Sequence, residues 1–478
     1  MRKHKKTHSN PKQPNRIKSV AELERLAVVN PHAAGLDIGA REIWAAISPH
    51  HEGETVRCFA TFTPDLVVLV EWLLSYGVTT VAMESTGVYW IPIFELLEAR
   101  GIVCYLVNAR HIKHVPGRKS DLADCQWLQK LHTLGLLNGS FRPDAEMRTL
   151  RTYLRHRQQL IEHRAPHILH MQKAMQEMNI QLHHVLSDIT GVTGMDILRA
   201  IVAGARKPNV LATFFQRTSK AAEGPINPAL TGTWQAEHLF VLQQSLQLYD
   251  YYTTQIADCD QVVEQQYATM KPRWNAPEKL PVLPPVKKRS RSKNKPPDST
   301  RQELFRISGV DLVAIDGFSA SSAQTILSEV GTDMSRFPTE KHFCSWLGLA
   351  PHNDISGGKV LRSYTLKTDN RAGQAFRQAA ASVVRSDSAF GAFYRRKTGQ
   401  LGKMQAMVAT AHKLARTVYH MLKYKTPYRE LDAETYEAQQ REREVAALKR
   451  KAAKLGFAVV EAVVVLAALA RLALPKSG

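Results

Sequence analysis

The sequence contains little cysteine, and what it has is not arranged in pairs. No two of its cysteines form a CxxC motif, and the five residues are scattered along the chain as Cys58, Cys104, Cys125, Cys259 and Cys344. This spacing argues against a zinc ribbon or a disulfide framework, and it suits a reducing cytosol. We therefore expect a cytoplasmic protein whose fold does not depend on cross-links.

A long uncharged apolar run is also missing. Residues 457–474 are almost wholly apolar, but Glu461 and Arg471 interrupt them, and the longest uncharged piece spans only 462–470. A membrane-spanning helix usually needs about 18 or more such residues. We expect this segment to form a packed or oligomer-facing helix, with membrane contact as the alternative. The basic N-terminal residues 1–16 have no apolar stretch behind them, so we expect no secretory signal.

Negative charge is scarce relative to positive charge. The chain has 64 Lys and Arg against 43 Asp and Glu, a formal net charge of +21. Because each neutralised phosphate releases condensed counterions, such an excess favours a polyanionic partner. Charge alone leaves a ribosome-associated or merely basic protein as the alternative. A length of 478 residues with 44% hydrophobic content allows real cores and predicts about two or three domains.

The pattern of apolar residues predicts an α/β or α+β sheet domain over residues 31–143. A flexible basic arm over residues 1–30 precedes it and leads into a short helix at 20–29. Three β-rich runs come first, and strands then alternate with helices, the last of which has Ser120 as a plausible N-cap. The predicted strands are AGLDIG, IWAAIS, TVRCFATF, TTVAM and IVCYLV.

The rest of the chain is predicted to be mostly helical, which makes the whole a multi-domain α/β plus α protein. Residues 144–270 have apolar positions at helical spacing, which predicts long antiparallel helices or a coiled coil, with an ordinary bundle as the alternative. Residues 271–300 form a basic, Pro-rich linker that should be extended. A second compact domain covers 301–425, and 426–478 comprises a charged helix and the apolar tail.

Four acidic residues occupy positions that suit metal-assisted phosphoryl transfer. Asp37 lies inside the apolar first strand, where an unpaired acid is costly, and Glu84 ends a later strand. Asp121 and Asp124 are three residues apart, so they share one face of a predicted helix. Converging carboxylates can hold divalent cations that activate an attacking oxygen. Each acid also has a structural explanation, as a turn cap, an arginine partner or a helix N-terminal acid. The order of the four is the stronger indication.

The segments around these acids resemble a known family. GLDIG, AMESTGVYW and KSDLADCQWL are similar to the signature segments of the DEDD insertion-sequence transposases, the family numbered one hundred and ten among insertion sequences. The resemblance implies a RuvC-like, ribonuclease-H-like mixed-sheet fold for the N-terminal domain. It also implies that Asp37, Glu84, Asp121 and Asp124 are catalytic and bind Mg²⁺ or Mn²⁺.

The C-terminal domain resembles the same family. IDGFSASSAQTILSEVG looks like a helix-hairpin-helix element, in which backbone amides at a helix start can face phosphate. WLGLAP followed by SGGK resembles the segment that carries the family's nucleophilic serine. By this resemblance Ser356 would attack a phosphodiester and form a covalent phosphoserine link to DNA. Read without the family, a serine in a Gly-rich loop is more often a turn residue.

Basic residues that follow the serine predict contacts with nucleic acid. Gly357 and Gly358 would let a phosphate approach closely, and Lys359 could offset its charge. We expect the group Lys359, Arg362, Lys367 and Arg371 to contact backbone phosphates, with a solvated surface as the alternative.

The resemblance also implies partners and a reaction. They are donor and target DNA, an element-encoded guide RNA and a homo-oligomer, a tetramer in the synaptic complex, acting at the bacterial nucleoid. The resulting hypothesis is a transposase or recombinase that excises and inserts a mobile element. One alternative is a RuvC-like, metal-dependent junction resolvase or nuclease that uses activated water. Another is a non-catalytic nucleic-acid-binding protein. The apolar tail departs from the family's pattern.

Overall fold

The computed structural model describes the chain except for several segments. The described residues are 26–85, 87–108, 121–215, 226–275, 277, 280–285, 292–365, 370–429 and 432–459. The chain divides into two compact units, Met1–Arg142 and Pro143–Gly478, and each is described by itself.

The first unit contains a mixed five-stranded sheet. Strand order across the sheet is β3-β2-β1-β4-β5. The three leading strands form an antiparallel meander, while β4 and β5 run parallel to β1. This confirms the prediction of a mixed-sheet N-terminal domain. The strands are β1 (Ala33–Ile38), β2 (Glu42–Ala46), β3 (Val56–Ala60), β4 (Thr80–Glu84) and β5 (Val103–Val107).

Helices cover both faces of this sheet. Helices α1 (Thr63–Ser75) and α2 (Trp90–Ala99) pack on one face, in a core that includes Leu36 and Met83. Helix α3 (Asp121–Thr133) packs on the other face, where a smaller core cluster includes Ala82 and Leu128. Side chains of a strand alternate between faces, so odd positions of β1 and even positions of β4 face α3.

The segment before β1 differs from the prediction. Of the helix predicted over residues 20–29, only 26–29 belong to the described residues, and these form no helix. The backbone nitrogens of Val29 and Asn30 instead donate to the carbonyl oxygen of Thr133, at 2.9 and 3.0 Å. This segment therefore satisfies a carbonyl at the end of α3, a group that a helix cannot pair internally.

The second unit begins with two long helices. Helix α4 (Ala145–Glu177) and a helix at Ala236–Thr269 run antiparallel. In the first half of α4 the guanidinium of Arg157 donates to both carboxylate oxygens of Asp260, at 2.6 and 3.0 Å. At its far end Glu177 pairs with His238 at 3.2 Å. This confirms helical structure in the middle region and gives it the long antiparallel arrangement.

Shorter helices lie between and after these two. The helices that follow α4 are α5 (Val192–Val202), α6 (Pro208–Ala212), α7 (Ile226–Ala229), α8 (Ala236–Thr269), α9 (Thr300–Ser308), α10 (Ala320–Val330), α11 (Glu340–Trp346), α12 (Arg371–Ser382), α13 (Ala389–Leu401), α14 (Lys403–Tyr424) and α15 (Ala433–Lys454). A two-stranded antiparallel sheet of β6 (Pro351–Ser356) and β7 (Lys359–Thr365) interrupts them. The remainder of the chain is thus mostly helical, as predicted.

The described part of the linker, between α8 and α9, forms neither helix nor strand, in line with its proline content. It is nevertheless attached to α4, because Arg157 also donates to the carbonyl oxygens of Asn294 and Lys295, at 3.2 and 3.3 Å. No helix among the described residues is long and apolar enough to cross a membrane. Residues 460–478, which hold most of the apolar tail, lie outside the described residues.

Candidate catalytic centres

Two of the predicted acids lie side by side at the carboxyl ends of neighbouring strands. The parallel strands β1 and β4 are in a register that pairs Leu36 with Met83. Asp37 and Glu84 are the next residues on the two strands, so they occupy equivalent positions on the same face of the sheet. Both side chains are half-buried. The strand register therefore brings together two acids that are 47 positions apart in sequence.

This pair lies on the face that α3 covers, and Gly35 permits the close packing. A Cβ built on Gly35 would lie 2.3 Å from the backbone nitrogen of Gln129 and 2.4 Å from the carbonyl oxygen of Cys125. No side chain fits in that space. Asp37 is two positions further along β1, so it lies on the same face as Gly35 and closer to the N-terminal turn of α3.

The direction of α3 determines which acids face the pair. At the other end of the strands, Thr80 Oγ1 lies 2.8 Å from Nε2 of His132, near the C-terminus of α3. Helix α3 therefore runs opposite to β1 and β4, and its first turn lies level with their carboxyl ends. Asp124 belongs to this first turn and is exposed. Asp121 is the first residue of α3, and its side chain lies outside the described residues.

A buried thiol reports the proximity of two of these acids. Cys125 is fully buried against β1, and the pKa of its thiol is raised to about 12. Burial is the main cause, and the negative charges of Asp37 and Asp124 raise this pKa further. An acid on β1 and an acid on α3 are therefore both within electrostatic reach of one sulfur atom.

The donor set fits a hard divalent cation. Carboxylate oxygens are the ligands that Mg²⁺ and Mn²⁺ prefer in proteins. Among the side chains that the structure describes, no group of three or more His, Cys, Asp and Glu is arranged to hold a metal ion. That set leaves out Asp121. The backbone brings the position of this fourth acid to the same end of the sheet as Asp37, Glu84 and Asp124.

The predicted serine lies in the second unit, at the tip of a β-hairpin rather than in an irregular loop. Ser356 ends β6 and pairs directly with Lys359, the first residue of β7. Gly357 and Gly358 form the two-residue turn between them, with φ angles of 56° and 79°. Positive φ at both turn positions matches the right-handed twist of the strands and favours glycine. Ser356 and Lys359 are exposed.

A β-bulge in β7 determines which residues share a face with this serine. Asp354 pairs with Arg362 and Ile355 with Val360, so Leu361 is an extra residue without a partner. Alternation along β6 is uninterrupted, so His352, Asp354 and Ser356 lie on one face together with their partners. One face of the hairpin is therefore polar and carries Ser356, while Ile355 and Val360 lie on the other.

The remaining predicted cations are placed differently. Arg362 lies on the serine's face of the hairpin, with its guanidinium carbon 4.7 Å from the centre of the Tyr364 ring. Arg371 is the first residue of α12 and is half-buried. Lys367 lies outside the described residues. The four acids thus belong to the first unit, and the serine with its neighbouring cations to the second.

Two family models match the chain. Residues 34–180 match a model described as a transposase of the DEDD insertion-sequence type, and residues 311–395 match the transposase family IS116/IS110/IS902. The first match includes all four acids, and the second includes Ser356. No curated protein matches the chain significantly.

These two matches identify the chain as a transposase, an enzyme that acts on DNA. More specifically, the chain belongs to the IS110-type insertion-sequence transposases.

Proposed function

We propose that this transposase excises and inserts a mobile DNA element by phosphoryl transfer, with Ser356 as nucleophile and a divalent metal at the acids. The observation that carries the proposal is the register of β1 and β4, which sets Asp37 beside Glu84 under the first turn of α3. The strand order β3-β2-β1-β4-β5 supports a RuvC-like, ribonuclease-H-like fold for this domain.

The acids act by holding Mg²⁺ or Mn²⁺. Asp37 and Glu84 supply carboxylates from the sheet, and Asp121 and Asp124 supply them from α3. When bound, the metal supplies positive charge that stabilises the oxygens of the reacting phosphate. The residues themselves provide a rigid base, because strands and a closely packed helix hold the carboxylates more precisely than loops do.

Ser356 carries out the covalent step. Its hydroxyl loses a proton, its oxygen forms a bond to phosphorus, and the bond from phosphorus to the oxygen of the departing strand breaks. That oxygen takes up a proton, and the other strand end stays on the protein as a phosphoserine ester until a new strand end displaces it. Lys359, directly opposite Ser356, offsets the negative charge of the bound phosphate. The exposed hairpin tip allows a DNA backbone to reach the hydroxyl.

We further infer that the enzyme is guided by an RNA from its own element and works as an oligomer, a tetramer in the synaptic complex. The net charge of +21 supports binding of polyanions such as RNA and DNA. The basic helical middle and linker suit RNA contact. The turn at Gly317, where φ is 84°, precedes the N-terminus of α10 and suits phosphate contact of the helix-hairpin-helix kind.

A protein–DNA adduct tests the nucleophile. Wild-type protein, Ser356→Ala and the matched control Ser363→Ala are incubated with a DNA substrate and Mg²⁺, and adducts are resolved on denaturing gels. We expect an adduct that peptide mapping assigns to Ser356, its loss in Ser356→Ala, and normal behaviour of Ser363→Ala. Strand joining by Ser356→Ala at the wild-type rate would overturn the assignment.

Acid variants separate transposition from the alternative reaction. Glu84→Ala and Asp37→Ala should lose metal-dependent cleavage, whereas Glu54→Ala, an exposed acid of the same unit, should keep it. Cleavage that depends on Glu84 but survives in Ser356→Ala would instead identify a metal-dependent nuclease that uses activated water.

A further inference from the structure

The polar face of the hairpin continues past Ser356 as an ordered group of side chains. Asp354 and His352 follow on β6 at alternate positions, opposite Arg362 and Tyr364 on β7. Nε2 of His352 lies 3.7 Å from Oδ1 of Asp354, and the imidazole meets the Tyr364 ring edge-on, with centroids 5.3 Å apart. Tyr364 is therefore in contact with His352 across the two strands.

Arg362 is held by this tyrosine rather than by an acid. Asp354 is its direct partner across the ladder, yet the guanidinium lies over the Tyr364 ring, 4.7 Å from its centre. Within the described part of the chain Arg362 makes no ion pair, and it is exposed. A cation over an aromatic ring is oriented without losing its charge, so Arg362 stays available to an anion from outside.

The distance along the strand relates this cation to Ser356. The pair Asp354 and Arg362 lies two residues along β6 from the pair Ser356 and Lys359, on the same face of the hairpin. At a strand rise of about 3.4 Å per residue, the two pairs are about 7 Å apart. One strand of duplex DNA places a phosphate about every 3.4 Å along the helix axis. A strand whose phosphate meets Ser356 therefore brings another phosphate to Arg362, within about two nucleotides.

We propose that Arg362, positioned by Tyr364 and His352, binds a second phosphate of the DNA strand that Ser356 attacks. The site fixes the direction in which that strand crosses the hairpin, and so places the reacting phosphate at the serine. Arg362 is the binding residue, and Tyr364 and His352 are positioning residues. The proposal rests on the assignment of Ser356 as nucleophile, and it adds a separate phosphate site to that assignment.

The bulge at Leu361 places the Ser356–Lys359 pair and Arg362 on the same face of the hairpin. If β7 continued in the register of Asp354 and Arg362, Ser356 would oppose Val360, and Lys359 would lie in the turn. The extra residue shortens the turn to Gly357 and Gly358 and sets Lys359 opposite the serine, while Arg362 keeps its place.

The test pairs protein variants with neutralised phosphates. In a Ser356→Ala background, which removes chemistry, DNA affinity is measured while single phosphates around the cut site are replaced by neutral methylphosphonate. With Arg362 present, one phosphate within about two nucleotides of the cut should matter most, and its neutralisation should weaken binding roughly ten-fold. With Arg362→Ala, affinity for unmodified DNA should fall similarly, and neutralising that phosphate should have no further effect.

Variants of the tyrosine distinguish positioning from folding. Tyr364→Phe keeps the ring and should bind like the parent, whereas Tyr364→Leu should lose most of the Arg362 effect. Ser363→Ala, on the opposite face, should change nothing. If Arg362→Ala and each phosphate replacement weakened DNA binding independently, so that their effects on the binding free energy were additive at every position, the proposal would be wrong. Strand joining by Ser356→Ala would instead refute the assignment of Ser356 as nucleophile. The affinity measurements would still test whether Arg362 binds a phosphate.

Discussion

Gly35 of β1 and Gln129 of α3 are in backbone contact, since a Cβ on the glycine would lie 2.3 Å from the nitrogen of Gln129. The atoms in the way belong to the backbone, so they cannot move aside as a flexible side chain can. We therefore expect Gly35→Ala to push α3 away from the sheet and to separate Asp124 from Asp37.

The expected cost of Gly35→Ala is about 1–3 kcal/mol in the free energy of unfolding, or more, together with a loss of metal-dependent cleavage. Gly399→Ala is the matched control, because nothing lies within 4 Å of a Cβ there and the position is inside helix α13. It should be neutral or stabilise slightly. Chemical denaturation and a cleavage assay check both variants, and equal stability of the two would contradict the packing argument.

Glu329 is a buried carboxylate in α10 of the second unit. It accepts hydrogen bonds from Nε and Nη2 of Arg155, at 3.0 and 2.9 Å, and lies 3.4 Å from Nη1 of Arg151. Glu329→Ala leaves Arg151, which is mostly buried, without its partner, whereas Arg155 is 44% exposed and can be solvated. The variant should therefore destabilise the unit by about 1–3 kcal/mol.

The control for Glu329 is an exposed pair. Lys173 and Glu177 approach to 3.6 Å on the surface of α4, and Lys173→Gln should change the unfolding free energy by less than about 0.5 kcal/mol. Urea denaturation measures both. A small effect of Glu329→Ala would mean that α10 and α4 do not depend on this ion pair.

His132 makes the stability of the first unit sensitive to acid. Its ring is buried between Thr80 and Tyr105, and burial lowers its pKa from 6.5 to about 4. Between these values the unfolded chain binds the proton and the folded chain does not. Stability is therefore complete above about pH 6.5 and falls as the pH drops towards 4. Denaturation is measured at pH 7.5 and at pH 5 for wild type and for His132→Gln. The variant should lose less stability than wild type between these two pH values, and an equal loss would refute this role of His132.

Lys413 acts in the same direction as His132, but in an alkaline range of pH. Its ammonium lies 4.2 Å from the centre of the Tyr436 ring and 4.6 Å from that of Phe393, and burial lowers the pKa of Lys413 to about 8, helped by Arg396. The unfolded chain keeps the proton up to its ordinary pKa of 10.5, so stability should rise between about pH 8 and 10.5. Lys413→Met should remove this rise in thermal unfolding measurements. An unchanged pH profile would show that another group titrates there.

The sequence predicts the first unit well because its signals are local. Apolar strands that alternate with helices give the sheet, and acids in LDIG and at the end of TVAME fall where strands end. The contact of Gly35 with α3 is different, because it depends on the distance between a strand and a helix that are far apart in sequence, and no local pattern predicts that distance. The same applies to Arg157, whose partners Asp260 and Asn294 are more than 100 positions away.

The hairpin that carries Ser356 differs from the Gly-rich loop that the sequence analysis describes, although the sequence does contain a signal for it. Two glycines between short runs are a turn signal for a two-residue hairpin. The preceding run, PHNDIS, is polar and poor in β-branched residues, so propensity gives little indication of a strand. The bulge at Leu361 has no sequence signature at all, because it is defined only by the pairing of the two strands.

Strand β1 occupies the middle of the sheet, between its immediate successor β2 and the later strand β4. During synthesis β1 and β2 are made first. Asp37 can have Glu84 as a neighbour only after β4 has been synthesised, and Asp124 only after α3 has been synthesised. An unfinished or truncated polypeptide that stops short of α3 thus carries two of the four acids and lacks the helix that would complete the proposed metal site.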